Sequence, residues 1–216
     1  MSSDKLSPAA RTPNPSLIMA PMVTLERRGR VAVFTLDRPE ARNAVNEELS
    51  TQMEQLLEEF EADAELSVAI LRSSFDGVFC AGADLKAVGR GERLTSRKGG
   101  FCGLSFPRRK LLIGAIDGGE PPHPSSPPPP PARLRALYFC ADALAGGCEL
   151  ALGCDMLVAS HRARFGVPEV TRSLVPTGGG VVLLPRVLPY ASSWPMQAAA
   201  PGVGSTGWSD PGVSPV

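Results

Sequence analysis

The first part of the chain has the hydrophobic pattern of two β-strands followed by an amphipathic helix. Residues 23–26 and 31–36 are short apolar-rich stretches on either side of Gly29, which predicts a hairpin with its turn near the glycine. Asn46 then precedes a stretch whose apolar residues fall on one helical face: Leu49, Met53, Leu56, Leu57 and Phe60. Because an asparagine side chain can accept a hydrogen bond from the first turn, we expect Asn46 to cap this helix.

Three further apolar runs have the length of β-strands. They cover residues 67–72, 111–116 and 156–159. Residues 87–109 are polar and contain several glycines, so we expect that stretch to be mobile or weakly helical. The order strand, helix, strand, loop, strand is typical of an α/β layered domain.

Proline interrupts this pattern. The chain has 22 prolines among 216 residues, about twice the usual share of roughly 5%. Five of them are consecutive at residues 127–131, where polyproline II geometry replaces helix and strand. We therefore predict a flexible tail at residues 1–21, a folded domain at 22–190 that is interrupted by a proline-rich insert at 119–142, and an irregular tail at 191–216.

Charge balance and cysteine spacing limit the classes of function. The 22 basic residues equal the 22 acidic ones, which gives no indication of a nucleic-acid partner or a charged membrane surface. No apolar run is long enough for a membrane span. The odd number of cysteines and the lack of CxxC spacing indicate neither a zinc site nor a disulfide framework. We expect no metal, and an intracellular location that is mitochondrial or cytoplasmic.

Three small-residue or acidic clusters are the candidates for chemistry: AGAD (81–84), AGGCE (145–149) and FGVPE (165–169). Gly146 and Gly147 open a helix, so free N–H groups are expected there. Backbone N–H groups can stabilise an oxyanion on a carbonyl oxygen, and carboxylates can move protons on neighbouring carbons. Taken singly, AGAD is more typical of a strand-to-loop turn and AGGCE of a helix start. The Pro-Glu pair of FGVPE equally suits the first turn of a helix.

The ordered set of these motifs resembles the crotonase superfamily, and within it enoyl-CoA hydratase. The segments that carry the resemblance are LDRPEARNAVN (36–46), VFCAGADL (78–85), IDG (116–118), ALAGGCELALGCD (143–155) and ARFGVPEV (163–170). The resemblance implies an α/β fold with a ββα-superhelix core and an acyl-CoA thioester substrate. It also implies a homotrimer or hexamer and no cofactor, because the CoA belongs to the substrate. The helical region that follows LPR (184–186) in the family has no counterpart pattern here, so we expect it to be missing.

The resemblance also assigns roles to individual positions. It makes the N–H groups of Ala83 and Gly146 the oxyanion hole for the thioester carbonyl. It places Asp84, Leu85 and Lys86 beside the CoA moiety.

Glu149 and Glu169 match the two catalytic glutamates of hydratases in this family. The implied activity is addition of water to 2-enoyl-CoA thioesters in fatty-acid or related acyl-CoA catabolism. A Δ3,Δ2-enoyl-CoA isomerase of the same fold is one alternative, although such relatives often keep only one of the two glutamates. The other alternative is a catalytically inactive protein whose PPPPPARLR segment (127–135) binds an SH3 or WW-type domain.

Overall fold

The computed structural model describes residues 21–97, 99–104, 106–118, 143–169 and 175–188, together with the backbone of residues 203–204. The predicted N-terminal tail up to residue 20, the insert at 119–142 and most of the predicted tail at 191–216 lie outside these residues. The predicted domain boundaries at those segments therefore stay predictions.

The described residues form two β-sheets with helices between the strands. The strands are β1 (Val23–Arg28), β2 (Val31–Leu36), β3 (Val68–Ser73), β4 (Leu111–Ile116), β5 (Ala143–Leu144), β6 (Met156–Ala159), β7 (Arg164–Gly166) and β8 (Val203–Gly204). The helices are α1 (Glu47–Ala62), α2 (Leu85–Gly89), α3 (Gly146–Leu152) and α4 (Gly180–Val187). This mixed arrangement confirms the predicted α/β class.

The larger sheet has the strand order β1-β2-β3-β4-β6. The predicted hairpin is confirmed, because β1 pairs with β2 in antiparallel register from Val23 opposite Leu36 to Arg28 opposite Val31. Every later pair in this sheet is parallel. The parallel pairs place the carboxyl ends of β2, β3, β4 and β6 on one edge of the sheet.

Helix α1 makes the crossover between the parallel strands β2 and β3, which a short turn could not connect. The predicted cap is present: the Asn46 side chain accepts a hydrogen bond from the Leu49 N–H at 2.9 Å. Four of the five residues predicted for the apolar face are buried, namely Leu49, Met53, Leu57 and Phe60. The Phe60 ring meets Phe34 of β2 edge to face at 5.9 Å, so the helix is fixed against the sheet by aromatic packing.

The stretch at 87–109 is more ordered than we predicted. Among its described residues, the first are helical, as the end of α2, and the others form a packed loop. Phe101, Cys102 and Leu104 are 5%, 0% and 1% exposed. Hydrogen bonds join the two ends of this loop: Ser96 Oγ donates to the Leu104 carbonyl at 2.7 Å. Such bonds leave no helical or strand periodicity in the sequence.

Two elements near the end of the described chain were not predicted. Helix α4 has glycine as its first residue and Pro185 inside it, which weakens any helical signal. Strand β8 lies in the tail that we expected to be irregular, and it pairs antiparallel with β7. Two residues of the tail thus form a strand, and the prediction of an irregular tail at 191–216 otherwise stays a prediction.

Residues 80–83 run between two other chain segments and bring them together. Val45 forms a bridge with Ala83 on one side, and Cys80 forms a bridge with Ala143 on the other. Gly147 packs so closely on this segment that a Cβ there would lie 2.0 Å from the Cys80 carbonyl oxygen. The contact is therefore between backbones, and it joins the two halves of the chain that carry the predicted site.

The cap of α1 gives a first test of this fold. Replacing Asn46 with alanine removes the acceptor for the Leu49 N–H, and we expect a loss of about 1 kcal/mol of unfolding free energy. For a chain of this size the loss corresponds to about 2–4 °C in Tm. The Asn46→Ser variant keeps an acceptor and should stay within about 0.5 kcal/mol of the wild type. Thermal unfolding followed by circular dichroism would contradict the assignment if both variants behaved alike.

Candidate active site

A cavity of about 900 Å³ opens between the segment at 80–88, the start of α3 and the turn before α4. All the predicted site residues line it: Ala83, Asp84, Leu85, Lys86, Gly146, Glu149 and Glu169. Residues from the ends of several elements are thus brought to one place.

Two backbone N–H groups in the cavity wall have no acceptor among the described residues. Val45 binds the peptides on both sides of Ala83: its N–H donates to Gly82 O at 2.7 Å and its carbonyl accepts from Asp84 N–H at 2.9 Å. The N–H of Ala83 itself is left over. Gly146 is the first residue of α3, and its N–H is likewise not used. Free N–H donors at two separate points of one cavity can bind one oxygen atom.

The backbone at Ala145 is the reason that the Gly146 N–H is not used in a strand. Ala145 has φ 50° and ψ −124°, a conformation that non-glycine residues rarely adopt. Its own N–H donates to the Gly166 carbonyl of β7 at 2.7 Å, and the chain then enters α3. Such strain persists only where surrounding contacts hold it, and here β7 does so.

Glycine is required at two positions where the walls meet. Gly82 has φ 93°, and a Cβ there would lie 2.8 Å from the Leu144 carbonyl oxygen. A Cβ at Gly146 would lie 2.4 Å from the ring of Phe101. The two N–H donors can therefore face one cavity only because neither wall carries a side chain at the contact.

Glu149 is almost fully buried, at 4% exposure, and its orientation is fixed by backbone donors. Its Oε1 accepts from Gly180 N–H at 2.9 Å, and the Gly178 N–H also donates to the carboxylate. Burial raises the pKa of Glu149, and these two hydrogen bonds partly oppose that shift. Sequence reasoning missed Gly178 and Gly180, although three consecutive glycines were the signal that could have found them.

The carboxyl group of Glu169 differs from that of Glu149 in its hydrogen bonding. Glu169 follows Pro168 in a single helical turn after β7, and its Oε2 is buried with no hydrogen-bond partner. Burial raises the pKa of Glu169 to about 7, and the charge of Glu149 contributes to the rise. The cavity therefore contains one carboxylate held by donors and another that can exchange a proton near neutral pH.

Asp84, Leu85 and Lys86 lie at the mouth of the cavity. The Asp84 carboxylate accepts from Lys86 N–H at 3.0 Å and caps α2, and it also accepts from the Arg38 guanidinium at 2.9 Å. Leu85 is 57% exposed. Arg38 also lines the cavity, although we had singled out no residue of its segment as a site residue.

Other chemistries find little support in the described part of the chain. It contains no group of three side chains that could hold a metal ion. None of its helices has the length and apolar character to cross a bilayer. Burial raises the pKa of both Cys80 and Cys148 to about 12, so these thiols are neutral and poor nucleophiles. The cavity groups that match the chemistry predicted from the sequence are the free N–H groups of Ala83 and Gly146 and the carboxyl groups of Glu149 and Glu169.

Comparison with known proteins gives consistent matches. A carnitinyl-CoA dehydratase from Proteus mirabilis is 37% identical over 177 residues, which are 80% of this chain and 59% of that protein. A short-chain-enoyl-CoA hydratase from Clostridium acetobutylicum is 34% identical over 171 residues, which are 77% of this chain and 57% of the relative. The chain thus spans less than two thirds of the length of these relatives.

Solved structures show the same fold. The crystal structure of enoyl-CoA hydratase from Mycobacterium tuberculosis H37Rv superposes with a TM-score of 0.71 at 37% identity, covering 85% of this chain and 64% of that one. A carnitinyl-CoA dehydratase structure from Mycobacterium avium 104 gives a TM-score of 0.72 at 37% identity, covering 87% of this chain and 66% of that one. The layered α/β architecture is therefore the crotonase fold.

The sequence model of the family described as Enoyl-CoA hydratase/isomerase matches residues 26–102 and 141–206. The chain belongs to this enoyl-CoA hydratase/isomerase family, within the crotonase superfamily. The resemblance expected from the five motifs is confirmed.

The glycines around Glu149 provide a test of the site's packing. A Cβ at Gly178 would lie 2.5 Å from Glu149 Oε2 and 2.8 Å from Phe101 Cβ, so Gly178→Ala should cost about 1–3 kcal/mol through overpacking. Gly89→Ala is the matched control, because a Cβ there meets nothing within 4 Å. The control should be neutral or gain up to about 1 kcal/mol. Urea midpoints measure both, and equal effects would contradict the packing described here.

Proposed function

We propose that this protein is an enoyl-CoA hydratase-like lyase that adds water to the double bond of 2-enoyl-CoA thioesters. One observation carries the proposal: a single cavity holds two free backbone N–H groups together with the carboxyl groups of Glu149 and Glu169, which differ in their hydrogen bonding. The family membership and the names of the similar proteins support the same chemistry. The reaction belongs to the breakdown of fatty acids or related acyl-CoA compounds.

In this mechanism the thioester carbonyl oxygen accepts hydrogen bonds from Ala83 N–H and Gly146 N–H. These donors stabilise the negative charge that develops on the oxygen as electrons leave the α,β double bond. The β-carbon becomes electron-poor, and the oxygen of a water molecule can form a bond to it. Because the donors belong to fixed backbone, little reorganisation is needed as the charge develops.

The two carboxylates complete the proton transfers. Glu149 accepts a proton from the attacking water, and the bonds from Gly180 and Gly178 hold its carboxylate in one orientation while it does so. Glu169 donates its proton to the α-carbon, since burial keeps this carboxyl protonated up to about pH 7. The sum is addition of one water across the double bond, with no cofactor beyond the CoA of the substrate.

The CoA moiety is assigned to the mouth of the cavity, where Lys86 lies beside Leu85. A lysine ammonium suits the phosphates of CoA, whereas the Asp84 carboxylate is already bound to Arg38 and to the start of α2. We therefore assign Asp84 to the structure of this region, adjacent to CoA, and Leu85 and Lys86 to contact with it.

A dehydratase direction is the second candidate, and the names of similar proteins favour it. Several relatives are carnitinyl-CoA dehydratases, and dehydration is the reverse of the proton transfers described above. Carnitinyl-CoA belongs in the substrate panel for this reason. An isomerase of the same fold needs one carboxylate that removes and returns a proton, so the presence of both glutamates favours hydration.

A homotrimer or hexamer is part of the proposal, as the resemblance implies. Val181, Val182 and Val187 on α4 are 44%, 54% and 63% exposed, and Met156 and Val158 on β6 are 55% and 62% exposed. Apolar residues so exposed are typical of surfaces that contact another protein chain.

Removal of either carboxylate tests the reaction. Glu149→Gln and Glu169→Gln should each lower kcat for hydration of a short 2-enoyl-CoA by about 100-fold or more. The exposed Glu65→Gln is the control and should leave kcat unchanged. The product carries the mass of one added water, so mass spectrometry of the separated acyl-CoA compounds measures the reaction.

Two results would contradict the proposal. If hydration continued at the wild-type rate in both variants, Glu149 and Glu169 would be excluded as catalytic residues. Isomerisation of a 3-enoyl-CoA without any hydration, with one of the two variants still active, would identify the isomerase instead.

The raised pKa of Glu169 predicts the pH dependence. Hydration needs Glu169 protonated and Glu149 ionised, so kcat/KM should fall as the pH rises through about 7, where Glu169 loses its proton. Beyond that point the fall should approach about tenfold per pH unit, and the raised pKa of Glu149 should give an acidic limb. Initial rates across neutral pH measure the profile. A flat profile on the alkaline side would exclude Glu169 as the proton donor.

A further inference from the structure

Arg38 reaches from the end of β2 to the segment that carries Ala83. Its Nη2 donates to Asp84 Oδ2 at 2.9 Å, and its Nη1 donates to the Ala44 carbonyl at 2.6 Å. The side chains of Arg38 and Asp84 are only 15% and 16% exposed. Their ion pair is therefore shielded from solvent to a degree that ordinary surface pairs are not.

The two contacts of the guanidinium fall on opposite sides of one short backbone ladder. Ala44 immediately precedes Val45, and Asp84 immediately follows Ala83, while Val45 and Ala83 form the bridge between the segments. Arg38 thus clamps both chains of this parallel ladder, one chain just before the bridge and the other just after it. Val45 holds the peptides on either side of Ala83, and the free N–H of Ala83 is fixed between them.

Asp84 is committed to this arrangement. Its Oδ1 accepts from Lys86 N–H and Ala87 N–H at 3.0 and 3.4 Å, while its Oδ2 binds Arg38. Burial opposes the charge, but the hydrogen bonds from Arg38 and from the two N–H groups lower the pKa of Asp84. The carboxylate stays ionised and anchored, so it fixes the turn directly after Ala83.

We propose that the Arg38–Asp84 ion pair positions the Ala83 N–H, so that Arg38 and Asp84 are positioning residues for the stabilisation of the oxyanion. The catalytic consequence rests on the proposed function, because it requires that the Ala83 N–H binds the thioester oxygen. The structural consequence, a fixed ladder between Val45 and Ala83, does not.

Because Arg38 and Asp84 both line the cavity, the competing explanation is that they contact the substrate directly. Steady-state kinetics distinguish this explanation from a positioning role. Asp84→Asn and Arg38→Gln should each lower kcat by about 10–100-fold, since a displacement of about 1 Å has effects of that size. KM should change by less than about threefold, because the donor acts on charge that develops in the transition state. The double variant should lose no more than the worse single variant, because both remove one interaction.

Asp155→Asn is the matched control. Asp155 also pairs with a buried arginine and accepts a backbone N–H: Arg108 Nη2 lies 3.1 Å from Oδ1, and Leu112 N–H donates to Oδ2 at 2.8 Å. It does not line the cavity. This variant should lose stability without a comparable loss of kcat. A matching kcat loss in Asp155→Asn, a rise in KM with kcat retained, or additive losses in the double variant would each overturn the proposal.

Hydrogen exchange provides a readout that does not depend on activity. The Asp84 N–H donates to Val45 O in the clamped ladder, so Arg38→Gln should speed its exchange by about tenfold or more, and Asp155→Asn should not. Unchanged exchange would overturn the positioning role. If the wild type hydrates no substrate, the proposed function is wrong, and the exchange result still decides whether the clamp exists.

Arg38→Lys is a more conservative change that tests the clamp even if the other variants fail to fold. Lysine keeps the charge but lacks the fork that bonds to both Ala44 and Asp84. It should speed exchange at Asp84 and lower kcat, with smaller effects than Arg38→Gln. Full wild-type exchange and kcat in Arg38→Lys would show that the clamp is not needed.

Discussion

The site depends on the direct contact between two stretches of backbone, residues 80–83 and the start of α3. Cys80 O and Gly147 approach so closely that no Cβ fits between them, and Gly82 meets Leu144 in the same way. Side chains at these points would separate the two walls and with them the two free N–H groups. The two N–H groups can therefore lie near one another because these positions carry no side chain. The rest of the fold holds the two stretches of backbone together.

Around that contact, the structure gives the carboxyl groups of Glu149 and Glu169 different hydrogen bonding. Glu149 has backbone donors from the turn before α4, whereas an oxygen of Glu169 has no partner. A buried polar atom without a hydrogen bond costs free energy, and proteins accept such costs mainly where chemistry requires them. The difference in donors, more than any difference in depth, separates the chemical tasks that the two groups can perform.

Sequence patterns predicted those parts of the molecule that follow a period or a short motif. The hairpin, the cap at Asn46 and the buried face of α1 follow from residue spacing. The family motifs led to the seven predicted site residues, all of which line the cavity. The loop around Phe101 and the donors at Gly178 and Gly180 did not follow in the same way. Their roles come from contacts between residues far apart in sequence, such as the 31 positions that separate Glu149 from Gly180, and such contacts leave no local pattern.

That separation has a consequence for how the molecule is made. A chain emerging from the ribosome presents Glu149 well before the glycines that supply its hydrogen bonds. Until Gly180 arrives, the carboxylate has only water as a partner, and burying it would leave a charge without donors. Helix α3 can therefore bury this carboxylate with its hydrogen bond only when the segment at 178–180 is in place as well. The two segments depend on each other for their final positions, although 31 positions of the chain separate them.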